Sequence, residues 1–213
     1  MERSRTDDLL LAFLRTDPDA TGAAGTGELS GTDWEDLLRT SARHGVAPLL
    51  YHRLTNFHRS TPVPPEVIRQ LRNSYLQNAG RNMRLYHEQA KVLGRLRQDG
   101  IPVIALKGLH LAEAVYGNIA LRPMGDADLL VKPTDLSRVQ DLLVEHGYTA
   151  SKEDTFCAQE HLPPYRKAGS PSIEIHINIV GPPFSDRVDV GKLFIRAQTC
   201  LIGGIEVGIL RPE

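Results

Sequence analysis

The sequence predicts an α+β protein: a helical N-terminal region followed by a mixed β-sheet with helices packed on it. Three observations support that class. Up to residue 99, apolar residues recur at helical spacing between capping and stop signals. From Ile101 onward, short β-branched runs alternate with helical stretches. The stretch SIEIHINIV, residues 172–180, alternates strictly, with Ile173, Ile175, Ile177 and Ile179 on one side and Glu174, His176 and Asn178 on the other. That pattern predicts a strand with four isoleucines facing a core.

Taken in order, Asp7 to Arg15 predicts a short helix, and the Gly/Ala/Thr-rich stretch from Ala20 to Gly27 a linker. Thr32 followed by Glu35 has the pattern of a capping box. Trp34, Leu37, Leu38 and Ala42 give that helix its apolar stripe, and Gly45 ends it. Pro48 opens a short helix through Leu54, and Pro64-Pro65 open a long one that reaches about Arg97 and stops at Gly100. The run IPVIAL then predicts a buried strand, broken by Lys107-Gly108, before a helix from Leu109 to Tyr116. DADLLV, residues 126–131, is a second strand. Thr134 caps a helix to about His146, ended by Gly147, and Tyr148 to Ser151 is a short strand. A polar, proline-containing loop leads to the strand from Ser172. Asp189 to Gln198 reads as helix, and Ile205 to Leu210 as a last strand at the Gly203-Gly204 turn. The chain thus divides into a helical region, 1–99, and a sheet domain, 100–213.

Composition narrows the class. Of the 213 residues 41% are hydrophobic and 24% charged, as in ordinary folded soluble proteins rather than disordered ones. Lys plus Arg number 25 against 26 Asp plus Glu, which disfavours a protein that coats duplex DNA through its overall charge. The two cysteines, Cys157 and Cys200, match no zinc or redox spacing and suit a reducing cytosol as small, buried or half-buried side chains. LLLAFL near the N-terminus is too short, and too acidic at its front, for a signal peptide, and no segment reaches membrane-span length. These features predict a cytoplasmic protein without a membrane partner.

The chemistry concentrates on two strands. In Asp126-Ala127-Asp128 the carboxylates lie two residues apart, so on a strand they share a face while Ala127, Leu129 and Val131 point to the core. Two charges roughly 6.7 Å apart along a strand repel by roughly 2.5 kcal/mol at an effective dielectric near 20. Glu174 from a neighbouring strand raises that cost. A divalent cation converts it into binding energy, and Mg²⁺ takes carboxylate oxygens while keeping positions open for phosphates. Backbone N–H groups in the turn at Lys107-Gly108 can meet phosphate. Each residue also has a plainer reading. Lys107 can be a solvated loop residue, Arg122 the partner of a loop carboxylate, and His176 a hydrogen-bonded, half-buried histidine. Glu160-His161 together with His176 lacks paired zinc-ligand spacing.

The set Leu106-Lys107-Gly108, Arg122, Asp126, Asp128, Leu130-Val131, Gly147-Tyr148 and Glu174-His176 resembles the nucleotidyltransferase superfamily with a DNA polymerase β-type palm. More narrowly, it is similar to bacterial uncharacterised nucleotidyltransferase family proteins. HGVAPLLYHRL in the helical region is family-like as well. Lys107-Gly108 stands where the superfamily usually has Gly-Gly or Gly-Ser, and seventeen residues separate Gly108 from Asp126, a longer spacing than the common one. Relatives tend to continue past a Pro-Glu like the one that ends this chain, so the resemblance implies a shortened form.

The resemblance implies a mixed-sheet nucleotidyltransferase palm in which Asp126, Asp128 and Glu174 are catalytic and hold two Mg²⁺ ions, replaceable by Mn²⁺. Lys107, Gly108 and Arg122 would bind the nucleotide, and His110 and His176 would support the ligands or touch the acceptor. The partners would be an NTP and an acceptor hydroxyl on a small molecule, peptide or protein, with a polynucleotide disfavoured by charge. The rival readings are a non-catalytic nucleotide- or partner-binding module on the same fold, and a metal-dependent phosphotransferase or phosphodiesterase.

Overall fold

The computed structural model describes residues 4–15, 29–59, 61–151 and 161–210. The linker, Cys157 and Glu160 lie outside the described residues. The described residues fall into two compact units, one within Met1–Arg81 together with Asn118–Pro123, the other within Asn82–Gly117 and Met124–Glu213. No helix among the described residues is long and apolar enough to cross a membrane.

The first unit is helical: α1 (Arg5–Leu14), α2 (Gly31–Arg43), α3 (Ala47–Asn56) and the first half of α4 (Pro65–Gln98). Its core gathers Phe13, Trp34, Leu37, Leu50 and Leu71, with Phe13 stacked on Trp34 at 5.9 Å between ring centroids. The cap of α2 sits two residues earlier than Thr32. Ser30 accepts from the Asp33 amide, and Asp33 accepts from the Ser30 amide. Either pair could close a capping box; the earlier one gives the helix an extra half-turn and buries Trp34, Leu37 and Ser41, leaving Ala42 outside.

The second unit is built on a mixed sheet with seven strands among the described residues: β1 (Val103–Ala105), β2 (Asp126–Val131), β3 (Thr149–Ala150), β4 (Tyr165–Arg166), β5 (Ser172–His176), β6 (Gln198–Ile202) and β7 (Ile205–Ile209). Their order is β3-β4-β5-β2-β1-β7-β6. The two central pairings differ in sense, β1 antiparallel to β2 and β5 parallel to β2. One face buries Ala127, Leu129, Val131, Ile173 and Ile175. On the other, Ile104, Leu106 and Leu130 pack against α7 (Val190–Arg196) through Val190, Leu193 and Phe194. The α+β class and the mixed sheet match the sequence expectation.

Several local expectations are corrected. The strand that opens at Ser172 ends at His176, so only Ile173 and Ile175 of the four isoleucines are fully buried; Ile179 is exposed. Asn178 explains the stop: its side chain accepts from the Ile179 amide at 2.8 Å and donates to the Ser185 carbonyl at 3.1 Å, offering the backbone a turn in place of a ladder. A 3₁₀ turn, Pro133–Asp135, precedes α6 (Leu136–Glu145), so Thr134 does not cap that helix. Gln198 starts β6 rather than ending a helix. It forms a hairpin with β7 across Gly203-Gly204, whose φ values of 57° and 82° suit a tight turn of left-handed residues.

Candidate active site

β2 and β5 set the geometry. Their parallel register places Asp126 opposite Ser172, Asp128 opposite Glu174, and Leu130 opposite His176. Because side chains alternate, Asp128, Glu174 and His176 stand together on one face, and a slip of one residue would send Glu174 to the other. β1 runs alongside, and the Leu106 amide donates to the Asp128 carbonyl at 2.9 Å, which delivers Lys107 to the end of the carboxylate row.

There the polar groups converge on one oxygen. Asp128 Oδ1 accepts from Lys107 Nζ at 2.5 Å and from His176 Nε2 at 2.9 Å. Glu174 Oε2 lies 3.7 Å from His176 Nε2 and 3.9 Å from Lys107 Nζ. Asp128 is 3% exposed and His176 4%, whereas the Lys107 side chain is 56% exposed and approaches from the solvent side. Lys107 is the one non-glycine residue with positive φ, 44°, among the described residues. That conformation costs an L-residue about 1 kcal/mol or more, and strain of this kind gathers at functional sites.

The charges explain the titration of each group. Burial pushes the Glu174 carboxyl above its ordinary range, and the neighbouring charges of Asp128 and Asp126 push it further. Burial also works against ionised Asp128. Hydrogen bonds from His176 and Lys107, with their charges, more than offset it and hold Asp128 below the ordinary value. For Lys107, burial favours the neutral amine, but the hydrogen bond to Asp128 and the charges of Asp128, Glu174 and Asp126 outweigh it and raise the pKa.

Asp128, Glu174 and His176 form the group whose ligand atoms lie within 4.8 Å of one another among the described residues. Asp126 is not a member of that group, although its charge acts on both Glu174 and Lys107. Gly108 lies in the first turn of α5 (Lys107–Ala114), whose N-cap, Leu106, supplies no capping side chain. His110, on the same helix, is not among the converging ligands; its Nδ1 is buried without a hydrogen-bond partner, and burial lowers its pKa. Arg122 belongs to the segment that clusters with the helical unit, and its Nη1 donates to the Pro123 carbonyl at 3.5 Å.

A family model described as uncharacterised nucleotidyltransferase matches residues 30–213. The chain belongs to this family. Neither curated proteins nor solved structures provide a match. The family assignment supports nucleotidyl transfer in general, and the buried acid–histidine cluster of this nucleotidyltransferase-family chain suits a metal site.

One neighbour that the sequence reading set aside for want of zinc-ligand spacing does lie beside His176. His161 forms an isolated antiparallel bridge with His176, their ring centroids 5.3 Å apart, and the Leu162 amide donates to the Ile175 carbonyl at 2.8 Å. Fourteen residues separate the two histidines, and no periodicity signals their pairing. Both line a pocket of about 350 Å³ with Leu106, Lys107, Ile179 and Leu210.

Proposed function

We propose that this protein is a divalent-metal-dependent nucleotidyltransferase that moves a nucleoside monophosphate from an NTP to an acceptor hydroxyl and releases pyrophosphate. The observation that carries this reading is the pairing of Asp128 with Glu174 across adjacent parallel strands, at the end of a helix whose first turn is uncapped. Asp126, Asp128 and Glu174 would hold two Mg²⁺ ions. The donor set fits at Asp128 and Glu174, whose carboxylate oxygens converge and are what hard divalent cations such as Mg²⁺ and Mn²⁺ take. Bound there, the ions supply charge neutralisation on the phosphate oxygens.

The remaining roles belong to the chain itself. The acceptor oxygen attacks the α-phosphorus, the bond to the pyrophosphate oxygen breaks, and Glu174 takes the hydroxyl proton. Lys107 and the first-turn amides of α5, which no side chain caps, hold the triphosphate. His176 donates Nε2–H to Asp128 and so fixes the carboxylate's orientation. The pocket walled by Leu106, Ile179 and Leu210 beside the two histidines favours a small molecule or a peptide or protein side chain as acceptor over a polynucleotide.

Calorimetry with Mn²⁺ and a non-hydrolysable NTP tests the reading. The native chain binds the pair, and Glu174→Gln weakens binding by roughly 10- to 100-fold, the cost of losing a group that holds a metal. Equal binding by both proteins would count against it.

A pH dependence follows from the same carboxylate. Glu174 keeps its proton above the ordinary value of 4.5, and a cation must displace that proton. Mn²⁺ affinity of the native chain therefore rises as pH is raised through the elevated pKa of Glu174, and in Glu174→Gln this rise is reduced. The linked effect on the metal-free fold has the opposite sign. The stabilising contribution of protonated Glu174 is present below 4.5 and is lost as pH rises through its raised pKa. That of Asp128 is present above 3.8 and is lost as pH falls through its depressed pKa.

A further inference from the structure

We infer that Lys107 is a tethered cation that occupies the cation position of the carboxylate cluster until a triphosphate draws its ammonium away, so that one side chain couples divalent-metal entry to triphosphate binding. The inference rests on the nucleotidyltransferase reading and goes beyond it, because it gives Lys107 two alternating partners. The geometry places a full positive charge 2.5 Å from Asp128 Oδ1 and 3.9 Å from Glu174 Oε2, the same two carboxylates that converge as metal ligands. An ammonium and a divalent cation cannot share one carboxylate oxygen without strong repulsion. His176 takes the other approach to the same oxygen, so the acceptor is fully engaged.

The side chain is built to leave. Lys107 approaches from solvent and is more than half exposed, on a flexible four-carbon stem, whereas its partner Asp128 is buried. Its left-handed φ of 44° turns it back towards the carboxylates at the entry to α5, beside amides that have no capping side chain. A triphosphate seated on those amides offers the ammonium a second anion within reach of the same stem. Departure of Lys107 would then free the Asp128 oxygen, and each binding event favours the other by the same factor, as linkage requires.

Two measurements on the chain test this. Mn²⁺ titration followed by electron paramagnetic resonance, without nucleotide, compares the native chain with Lys107→Gly. Glycine suits the left-handed backbone, and Lys107→Asn serves as a second neutral variant should the first fail to fold. The expected result is at least about tenfold tighter Mn²⁺ binding by the neutral variant, within the usual span of coupling. The second measurement is calorimetry with inorganic triphosphate in EDTA. Asp128→Asn tightens triphosphate binding about tenfold in the native background, because it releases Lys107, and has no effect in the Lys107→Gly background. A through-space charge effect would persist in both backgrounds.

A smaller Mn²⁺ gain, an equal Asp128→Asn effect in both backgrounds, or no triphosphate binding by Asp128→Asn each overturns the inference. If the native chain with Mn²⁺ also fails to bind a non-hydrolysable NTP, the nucleotidyltransferase reading fails as well. If that binding persists, only the role of Lys107 is lost.

Discussion

Asp128→Asn lowers the rate of pyrophosphate release from an NTP by roughly a thousandfold, the largest functional effect expected of any single substitution in this protein. The substitution keeps the shape of the side chain and removes the charge that holds Lys107, exchanging one carboxylate oxygen for an amide nitrogen. Asp128 is the group on which the site converges. It is 3% exposed, pairs with Glu174 across the strands, and accepts from both Lys107 and His176. Charge stabilisation by a bound metal is worth several kcal/mol, and about 1.4 kcal/mol corresponds to a factor of ten in rate. The measurement is pyrophosphate release by the purified chain with an acceptor-containing extract, alongside thermal melting to show that the fold survives. Residual activity within tenfold of the native chain would mean that no reacting cation is held at Asp128.

The parts of this site that sequence could reveal are those encoded by short-range periodicity. DADLLV forms a strand with the boundaries its pattern predicts, and the alternation of Ser172 to His176 puts Glu174 and His176 on one face before any pairing is known. Two acidic strands of this kind, close in a small sheet, bring their carboxylates together once the register matches their apolar faces. The contacts that sequence hid are set by tertiary context. Alternation continues past His176 in HINIV, but the Asn178 side chain diverts the backbone there. β4 is two residues long, too short for any period to register. β6 is mostly exposed and carries Gln198 and Thr199 at its start, so nothing in its composition separates it from the helix before it. The sequence places Lys107 in the turn after the first strand, where a phosphate ligand is expected. Its engagement with Asp128 depends on a left-handed φ that a lysine gives no reason to expect.

The same dependence on tertiary context governs the largest expected stability effect away from the carboxylates. Gly208→Val in β7 destabilises the protein by about 2 to 3 kcal/mol, the range of an overpacked core. Intrinsic preference points the other way, because valine is a far better strand residue than glycine, so the sign of the measured change decides between local propensity and packing. Packing wins on distance. A Cβ at Gly208 would lie 2.8 Å from the Val103 carbonyl oxygen and 3.2 Å from Ile104 Cγ1. The first of these is backbone and cannot rotate away. Relief requires β1 and β7 to separate where Ile104 pairs with Gly208, and β1 is the strand that delivers Lys107 to Asp128. For a chain of this size the loss corresponds to a fall in Tm of roughly 5 to 10 °C. Gly94→Ala provides the contrast. Its added Cβ meets only Ile205 Cδ1, at an ordinary 3.7 Å, within helix α4, so that variant gains about 0.5 to 1 kcal/mol from helix propensity. Thermal melting of the two variants beside the native chain therefore gives shifts of opposite sign, and a stabilised Gly208→Val would show that the β1–β7 approach is looser than its geometry implies.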